Sequence, residues 1–398
     1  MRRRKQVYLD GAANTPLDRS VIKAMRPYMS PSFCGNSNSA HKHGAKADAA
    51  VHQARKTIAK ALDVQPDEVF FTSGATESNN WAIKALALAE LAKPEGERKT
   101  RIIVSAIEHA SVLAACDSLK PLGFEIVHVQ PMPTSGAIPV SSVKKGLRKD
   151  KTLLVCCMAV NNETGVANAV DEMAKAAHAA GALMLVDFTQ AMALGDGTIK
   201  IGRQCPHADF LSFSAHKIYG PTGVGCLIKR HDVLLPPLLS GGFQEGGIRG
   251  GTHNVAGIVG MAEAVRLLSS SSEMYHFYER TAERLLELIG GLGNLNVIPD
   301  HPNIMSIDFS KSIAYPGTVA DAFASKGISV SAGAACSLNG DEQLPSHVLQ
   351  AMGLPEDRIL CTVRVSFTKF TKDADLKAFA KAASELAKEF PAQGGDAE

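Results

Sequence analysis

Apolar and polar positions alternate between two periods from about residue 46 to residue 230. Residues 45–62 are alanine-rich with apolar side chains at helical spacing, and residues 77–93 repeat that pattern, so both stretches predict helices. Between them, residues 68–72 read as a short strand ending in a turn. Further apolar runs follow at 102–104, 124–129, 153–160, 183–186, 210–213 and 224–228. Several lack polar alternation, as expected of strands buried on both faces of a parallel sheet. With a helix over 171–180, the pattern predicts a large, doubly wound α/β domain. A glycine-dense stretch at 241–251 reads as a hinge. Beyond it the pattern predicts a long amphipathic helix over 274–292, strands at 304–309, 328–330 and 362–367, and helices over 318–326 and 374–388. Those shorter units suggest a smaller α/β domain, followed by a frayed tail at 391–398.

Composition narrows the class. A chain of 398 residues is too long for one compact core, which suggests two domains. Lysine plus arginine (42) nearly balance aspartate plus glutamate (40), so nothing calls for nucleic acid or anionic lipid as a partner. Apolar runs all fall short of the roughly 18 residues that would span a bilayer. The basic start, MRRRKQ, runs into a strand-like segment without the apolar stretch of a signal peptide. Eight cysteines are scattered with no CxxC pair, which points to a reducing compartment, the cytoplasm or an organelle matrix after removal of a leader.

The strongest chemical signal is SFSAHKIYGPTGVG at 212–225, where Lys217 follows a predicted buried strand and sits beside Ser214 and His216. A lysine whose ammonium is partly desolvated is a good imine former. An arbitrary lysine is far more often a surface charge, and it is the flanking residues that favour the chemical reading here. A second signal, FTSGATESNN at 71–80, is a strand–turn–helix junction with Gly74 in the turn. Its helix-start amides at Ala75 and beyond, with the Thr76 hydroxyl, suit a phosphate, although the same residues could form a plain helix cap. VDFTQ at 186–190 places Asp187 at the carboxyl end of a strand, where it could pair with a pyridinium nitrogen or merely cap the next turn.

IEHAS (107–111) offers His109 as a ring for stacking or proton transfer, and VNNETG (160–165) offers Asn161 as an uncharged polar group at the same sheet edge. Either alone would more often be structural, but five polar clusters after five strands converge on one edge. In the second domain Cys336 lies in a small-residue, polar stretch, unlike the cysteines embedded in apolar runs, so its thiol reads as exposed and able to ionise. Arg364 interrupts an apolar strand. It requires an anion, either a substrate carboxylate or a structural ion pair.

Taken in order and approximate spacing, VYLDGAANTPLD (7–18), FTSGATESNN, EHASV, NNETG, AHKIYGPTGVG, GGFQEGGIRGGTHNV, SAGAACS and VRVSFTKFT resemble the cysteine desulfurases of the class V aminotransferase group, iron–sulfur-cluster type. The resemblance spans nearly the whole chain. It implies the pyridoxal-5′-phosphate-dependent transferase fold type I: a large domain (16–265) with a mainly parallel seven-stranded sheet, and a small α/β domain from 1–15 and 266–398 that carries the cysteine loop. It makes Lys217 the cofactor's imine-forming lysine, Asp187 the partner of the ring nitrogen and Gln190 that of the phenolic oxygen. His109 would stack on the ring and assist proton transfer, while Ala75, Thr76, Ser214 and His216 would hold the phosphate. Thr252 would reach the cofactor of a second subunit, implying a homodimer. Asn161 and Arg364 would bind the carboxylate of L-cysteine. Cys336 would take the sulfur as a persulfide and pass it to a scaffold or carrier protein. The alternative carried by the same residues is a selenocysteine lyase or another PLP enzyme of the group. Some positions depart from the usual pattern: Gly11 and Asn14 early, Ser37 and Asn38, Phe188 beside Asp187, and Thr368–Lys369 after Arg364.

Overall fold

The structure, a computed structural model, describes residues 6–194, 199–269, 273–333, 338–339, 342–343 and 345–392. Cys336 and the basic run at 1–5 lie outside the described residues, as does the tail beyond residue 392.

The strands are β1 (Val7–Tyr8), β2 (Val69–Thr72), β3 (Arg101–Ser105), β4 (Glu125–Val129), β5 (Thr152–Cys156), β6 (Leu183–Asp187), β7 (Phe210–Ser214), β8 (Gly225–Lys229), β9 (Asn294–Leu295), β10 (Ile304–Asp308), β11 (Ile328–Ser329), β12 (Leu338–Asn339), β13 (Glu342–Gln343) and β14 (Thr362–Ser366). The helices that matter below are α1 (Lys42–Leu62), α2 (Ala75–Leu91), α3 (Ala110–Asp117), α4 (Val170–Ala179), α5 (Thr189–Ala193), α6 (Val255–Ser269), α7 (Met274–Ile289), α8 (His347–Ala351) and α9 (Asp373–Glu389).

Seven strands form one sheet in the order β2-β8-β7-β6-β5-β3-β4. Only β8 runs against its neighbours, β7 and β2. The ten-residue link from β7 to β8 is too short for the crossover a parallel neighbour needs, so the chain turns back on itself there. Every position of β3, β5, β7 and β8 is buried. Successive residues feed opposite cores: Val155, Met184, Leu211 and Phe213 face one apolar layer, while Leu154, Leu185, Phe210 and Leu227 face the other. The expected large α/β unit with a mainly parallel seven-stranded sheet is therefore what the chain forms.

A second core gathers Tyr278, Ile307, Phe309, Phe323, Val365 and Phe379 together with Val7 and Leu9 from the chain start. Its strands form the antiparallel order β14-β10-β9, and β1 pairs with β11 in parallel. Phe323 and Phe379 stack with ring centroids 4.4 Å apart. The N-terminal segment passes from this core across to the large sheet. Gly11 is needed on that path, because a Cβ there would come 2.5 Å from the carbonyl oxygen of Phe367.

Two expectations are corrected, and one helix is added. The strand predicted over 153–160 leaves the sheet after Cys156, and the chain runs on past the sheet edge towards the site. The stretch at 241–251 is no loose hinge: its Glu245 carboxylate is buried, bound by Arg55 (2.7 and 2.9 Å), by the amide of Phe71 (3.0 Å) and by His253 (2.7 Å). These contacts hold Glu245 at a positive φ of 48°, an uncommon backbone state for a residue other than glycine. Helix α6, which follows, packs in the first core and escaped prediction because its apolar residues surround it without a stripe.

Candidate active site

The parallel strands end at one edge, and the turns leaving them enclose a cavity of about 260 Å³. Asp187 arrives at the end of β6, Ser214 at the end of β7 with His216 and Lys217 just after it, Ala75 and Thr76 at the start of α2, and His109 before α3. Gln190 comes from α5, Ala12 and Ala13 from the N-terminal segment, and Arg364 from β14 in the second core. Ligands of open α/β sheets bind at this edge because loops diverge there and leave a crevice.

Asp187 is 6% exposed, and both carboxylate oxygens are held. One accepts the amide of Thr189 (3.0 Å) and the other the side-chain amide of Asn79 (2.9 Å). Asn79 is itself fixed, accepting from the Ser212 hydroxyl (2.6 Å) and donating to Ser111 Oγ (3.0 Å). The carboxylate is thus locked in one orientation with its charge directed into the cavity. Asn79 lies inside a motif the sequence singled out, yet its role escaped notice. The available signal was a polar residue on the buried side of an otherwise apolar helix.

Lys217 donates to the carbonyls of Ala12 and Ala13, the latter at 2.8 Å. Ser214 Oγ accepts the amide of Ala75 (2.8 Å), tying the lysine strand to the helix start. This contact needs close backbone approach, and Gly225 permits it: a Cβ there would lie 2.5 Å from the Cα of Gly74. Glu77 adds negative charge in the first turn of α2, but Arg249 grips it with two hydrogen bonds (2.8 and 3.0 Å), so the helix start keeps its attraction for anions.

The two histidines differ in their proton positions. His109 Nδ1 accepts the amide of Ser111 (3.1 Å), which places the neutral ring's proton on Nε2. His216 Nδ1 lies 3.0 Å from Asn14 Oδ1. Burial, then the positive charge of Lys217, push His216 down to about 4, so without an anion it is neutral. To donate from Nε2 to a phosphate, a neutral His216 would accept a hydrogen bond at Nδ1 from the Asn14 side-chain amide, turned over. Asn14, a departure from the family pattern, is thus the residue that faces His216 Nδ1.

Arg364 sits 3% exposed at the cavity wall. It donates to Asp10 (2.7 Å), Ser331 (3.1 Å) and the carbonyl of Asn162 (3.0 Å), while its Nε is buried without a hydrogen-bond partner. The structural ion pair and an unused donor coexist: Asp10 orients the guanidinium, and Nε is left for an anion to satisfy.

Other candidates fall elsewhere. Asn161 does not line the cavity; its amide is used in its own turn, accepting from Glu163 and Thr164 and donating to the carbonyl of Ile107 (3.0 Å). Its neighbour Asn162 lines the cavity instead. Thr252 is exposed and outside this chain's cavity. Phe188 faces away, lining a separate cavity with Ala191 and Leu194. Ser37 bonds His253 (2.8 Å), and Lys369 pairs with Asp18 and lies over the Tyr219 ring, so these departures brace the frame.

Glu108 is wholly buried, with Oε1 accepting the amide of Met158 (2.6 Å). Burial, reinforced by the nearby negative charge of Asp187, pushes its carboxyl up to about 8. The unfolded chain would release this proton near pH 4.5 while the folded one retains it to about pH 8, so folding stability falls as pH rises through that window. Urea unfolding of Glu108→Gln should show stability relative to wild type rising by at most about 1.4 kcal/mol per pH unit between pH 5 and 8. A constant difference across that range would refute a protonated Glu108.

The donor set fits pyridoxal phosphate. It combines a lysine able to form an imine, a fixed carboxylate that a ring nitrogen could face and a helix start suited to a phosphate. In addition, Gln190 Oε1 and Thr189 Oγ1 are buried without hydrogen-bond partners beside the cavity. Residues 7–379 match the family Aminotransferase class-V. A cysteine desulfurase IscS of Dictyoglomus turgidum is 37% identical over 94% of this chain and 92% of its own length. A cysteine desulfurase of Enterobacter agglomerans is 37% identical over 94% and 90%. Among solved structures, a NifS-like protein superposes with a TM-score of 0.85 at 31% identity, covering 97% of this chain and all of its own. SspA in complex with cysteine gives 0.78 at 32% identity over 92% of this chain and all of its own.

Proposed function

The chain belongs to the class-V aminotransferase family and is a pyridoxal-phosphate-dependent cysteine desulfurase, and from this we propose that it moves the sulfur of L-cysteine onto Cys336 as a persulfide, releasing L-alanine. The observation that carries the reading is one cavity joining Lys217, Asp187 and the start of α2 to Arg364 of the other core.

The residues divide the work as follows. Ala75, Thr76, Ser214 and His216 would hold the phosphate, Asp187 would face the ring nitrogen and Gln190 the phenolic oxygen, and His109 would cover the ring. The cofactor, when bound, supplies an electron sink for charge developing at the substrate Cα. Arg364, oriented by Asp10, binds the substrate carboxylate, with Asn162 beside it in place of Asn161. Lys217, which would carry the cofactor, is also placed to take the substrate Cα proton as a free amine, and the Ala12 and Ala13 carbonyls keep its Nζ at the cavity. His109, with its proton on Nε2, can donate to the substrate side. The Cys336 thiolate attacks the substrate sulfur: an S–S bond forms, the Cβ–S bond breaks, and its electron pair passes to the carbon skeleton, which leaves as alanine after protonation.

The same reading extends to assembly and destination. A homodimer in which Thr252 reaches the partner's phosphate is supported by the exposed apolar side chains Leu234, Leu239 and Phe243 just before it. Division into a large unit (16–265) and a small one (1–15 with 266–398) is supported by Val7 and Leu9 joining the second core. A reducing compartment such as the cytoplasm is supported by the seven described cysteines, all free thiols. No described helix is long and apolar enough to cross a membrane. The persulfide sulfur would pass to a scaffold or carrier protein for iron–sulfur cluster or related cofactor synthesis. Intact mass after one turnover with L-cysteine should show one added sulfur, absent in Cys336→Ala. Equal sulfur addition in both proteins would refute Cys336 as the acceptor.

A further inference from the structure

The two chain ends flanking the Cys336 segment, Gly333 and Ser346, converge on one buried carboxylate that the motifs left without a role. Glu163 is 2% exposed and lies in the turn whose neighbouring residue, Asn162, lines the cofactor cavity. Its Oε2 accepts the Ser346 hydroxyl (2.5 Å), and a Cβ added to Gly333 would lie 3.2 Å from that same oxygen and 3.3 Å from Ser346 Cβ. Ser346 Oγ also accepts the amide of Leu349 (3.1 Å), so the contact fixes the start of α8. The next residue, His347, donates from Nε2 to the carbonyl of Glu108 (2.9 Å), beside His109. Glu163 is in turn held in place by Asn161, whose Oδ1 accepts its amide (2.9 Å).

Two turns that line the cofactor cavity thus grip the returning end of the cysteine segment, and the Glu163 carboxylate leaves room only for a glycine at its departing end. Gly333 fits there because any side chain would press on the carboxylate and on Ser346 at once. The second carboxylate oxygen of Glu163, Oε1, is buried with no hydrogen-bond partner, and leaving it so costs stability. A buried carboxylate with that cost, whose hydrogen bond is spent on the end of the cysteine segment, suggests a role in the step that follows cofactor chemistry.

We propose that Glu163 is a positioning residue for sulfur transfer: it sets where the Cys336 segment leaves and rejoins the frame, and so registers the thiol against the bound substrate. This rests on Cys336 being the sulfur acceptor. It acts through geometry, since small misplacements of a reacting group are costly. It therefore separates the two halves of the reaction: substrate binding and Cα chemistry depend on the cavity, and persulfide formation depends on Glu163 and Ser346.

The test uses holoenzyme carrying Glu163→Ala, Glu163→Gln or Ser346→Ala. Visible absorbance on adding L-cysteine reads the cofactor half, and the single-turnover rate of sulfur addition to Cys336, by intact mass, reads the transfer half. For Glu163→Ala and Ser346→Ala, the spectral response and its cysteine dependence should stay within about twofold of wild type while the transfer rate falls about 10- to 100-fold. Glu163→Gln keeps an oxygen for Ser346 and should recover most of that rate. The proposal is overturned if transfer in Glu163→Ala stays within about twofold of wild type, or if spectral response and transfer fall together. Wild-type enzyme that never gains sulfur on Cys336 would instead overturn the assignment of Cys336, and the role of Glu163 with it.

Discussion

Asp187→Asn should lower sulfur release from L-cysteine by about 10³-fold, on the order of 4 kcal/mol of lost transition-state stabilisation, while cofactor stays bound. The substitution is nearly isosteric. Its remaining oxygen can still accept the Thr189 amide, which keeps the end of β6 in place. What disappears is the negative charge facing the cavity, and with it the electrostatic reason for a ring nitrogen to stay protonated. The ring then withdraws charge from Cα poorly, so deprotonation slows while the phosphate contacts and Arg364 are untouched. The loss should therefore fall on kcat with KM little changed. Steady-state alanine production, with bound cofactor quantified by mass, checks both halves, and a loss under about tenfold would mean the charge is not what Asp187 contributes. Asn79→Ala is the softer companion. It removes the donor that orients Asp187 Oδ2 without removing the charge, and should give a smaller loss of the same kind.

Much of this site was legible in the sequence because its chemistry sits at strand ends. A buried parallel strand is an uninterrupted apolar run, and the first polar residues after it fall at the sheet edge. Lys217, Asp187, His109 and the start of α2 were all found that way, and all line one cavity. Asn161 shows the limit of the method: adjacent asparagines end the same stretch, and which one faces the cavity depends on a tight turn that Asn161 itself closes. Asn79 and Glu163 were missed for a related reason. Their roles arise from partners more than 100 residues away, Asp187 and Ser346, which no local period reveals. The 241–251 stretch misled in the opposite direction. Its glycines suggested freedom, but Glu245 and Arg249 within it anchor to Arg55 and Glu77. Helix α6 had no polar face to announce it. The second core drew the chain's first strand into it, where sequence order alone would separate them.

The largest loss is expected from Lys217→Ala, about 10⁴-fold or more in alanine production, because in the proposed mechanism one side chain would supply both the covalent link to the cofactor and the base at Cα. Cofactor binding should weaken rather than vanish, since the helix start, Ser214, His216 and Asp187 are unchanged. The lysine-linked visible absorbance should be absent, and added L-cysteine should bind without being consumed. Loss on alanine substitution alone would not distinguish chemistry from charge, because Lys217 also donates to the Ala12 and Ala13 carbonyls that hold the N-terminal segment over the site. Lys217→Arg makes that distinction. A guanidinium keeps the positive charge and can reach those carbonyls, but it does not lose its proton in proteins and cannot act as base or imine former. It should be as inactive as the alanine variant. Arginine enzyme retaining more than about 1% of wild-type turnover would mean that Lys217 serves as a fixed cation, and that the base at Cα lies elsewhere in the cavity.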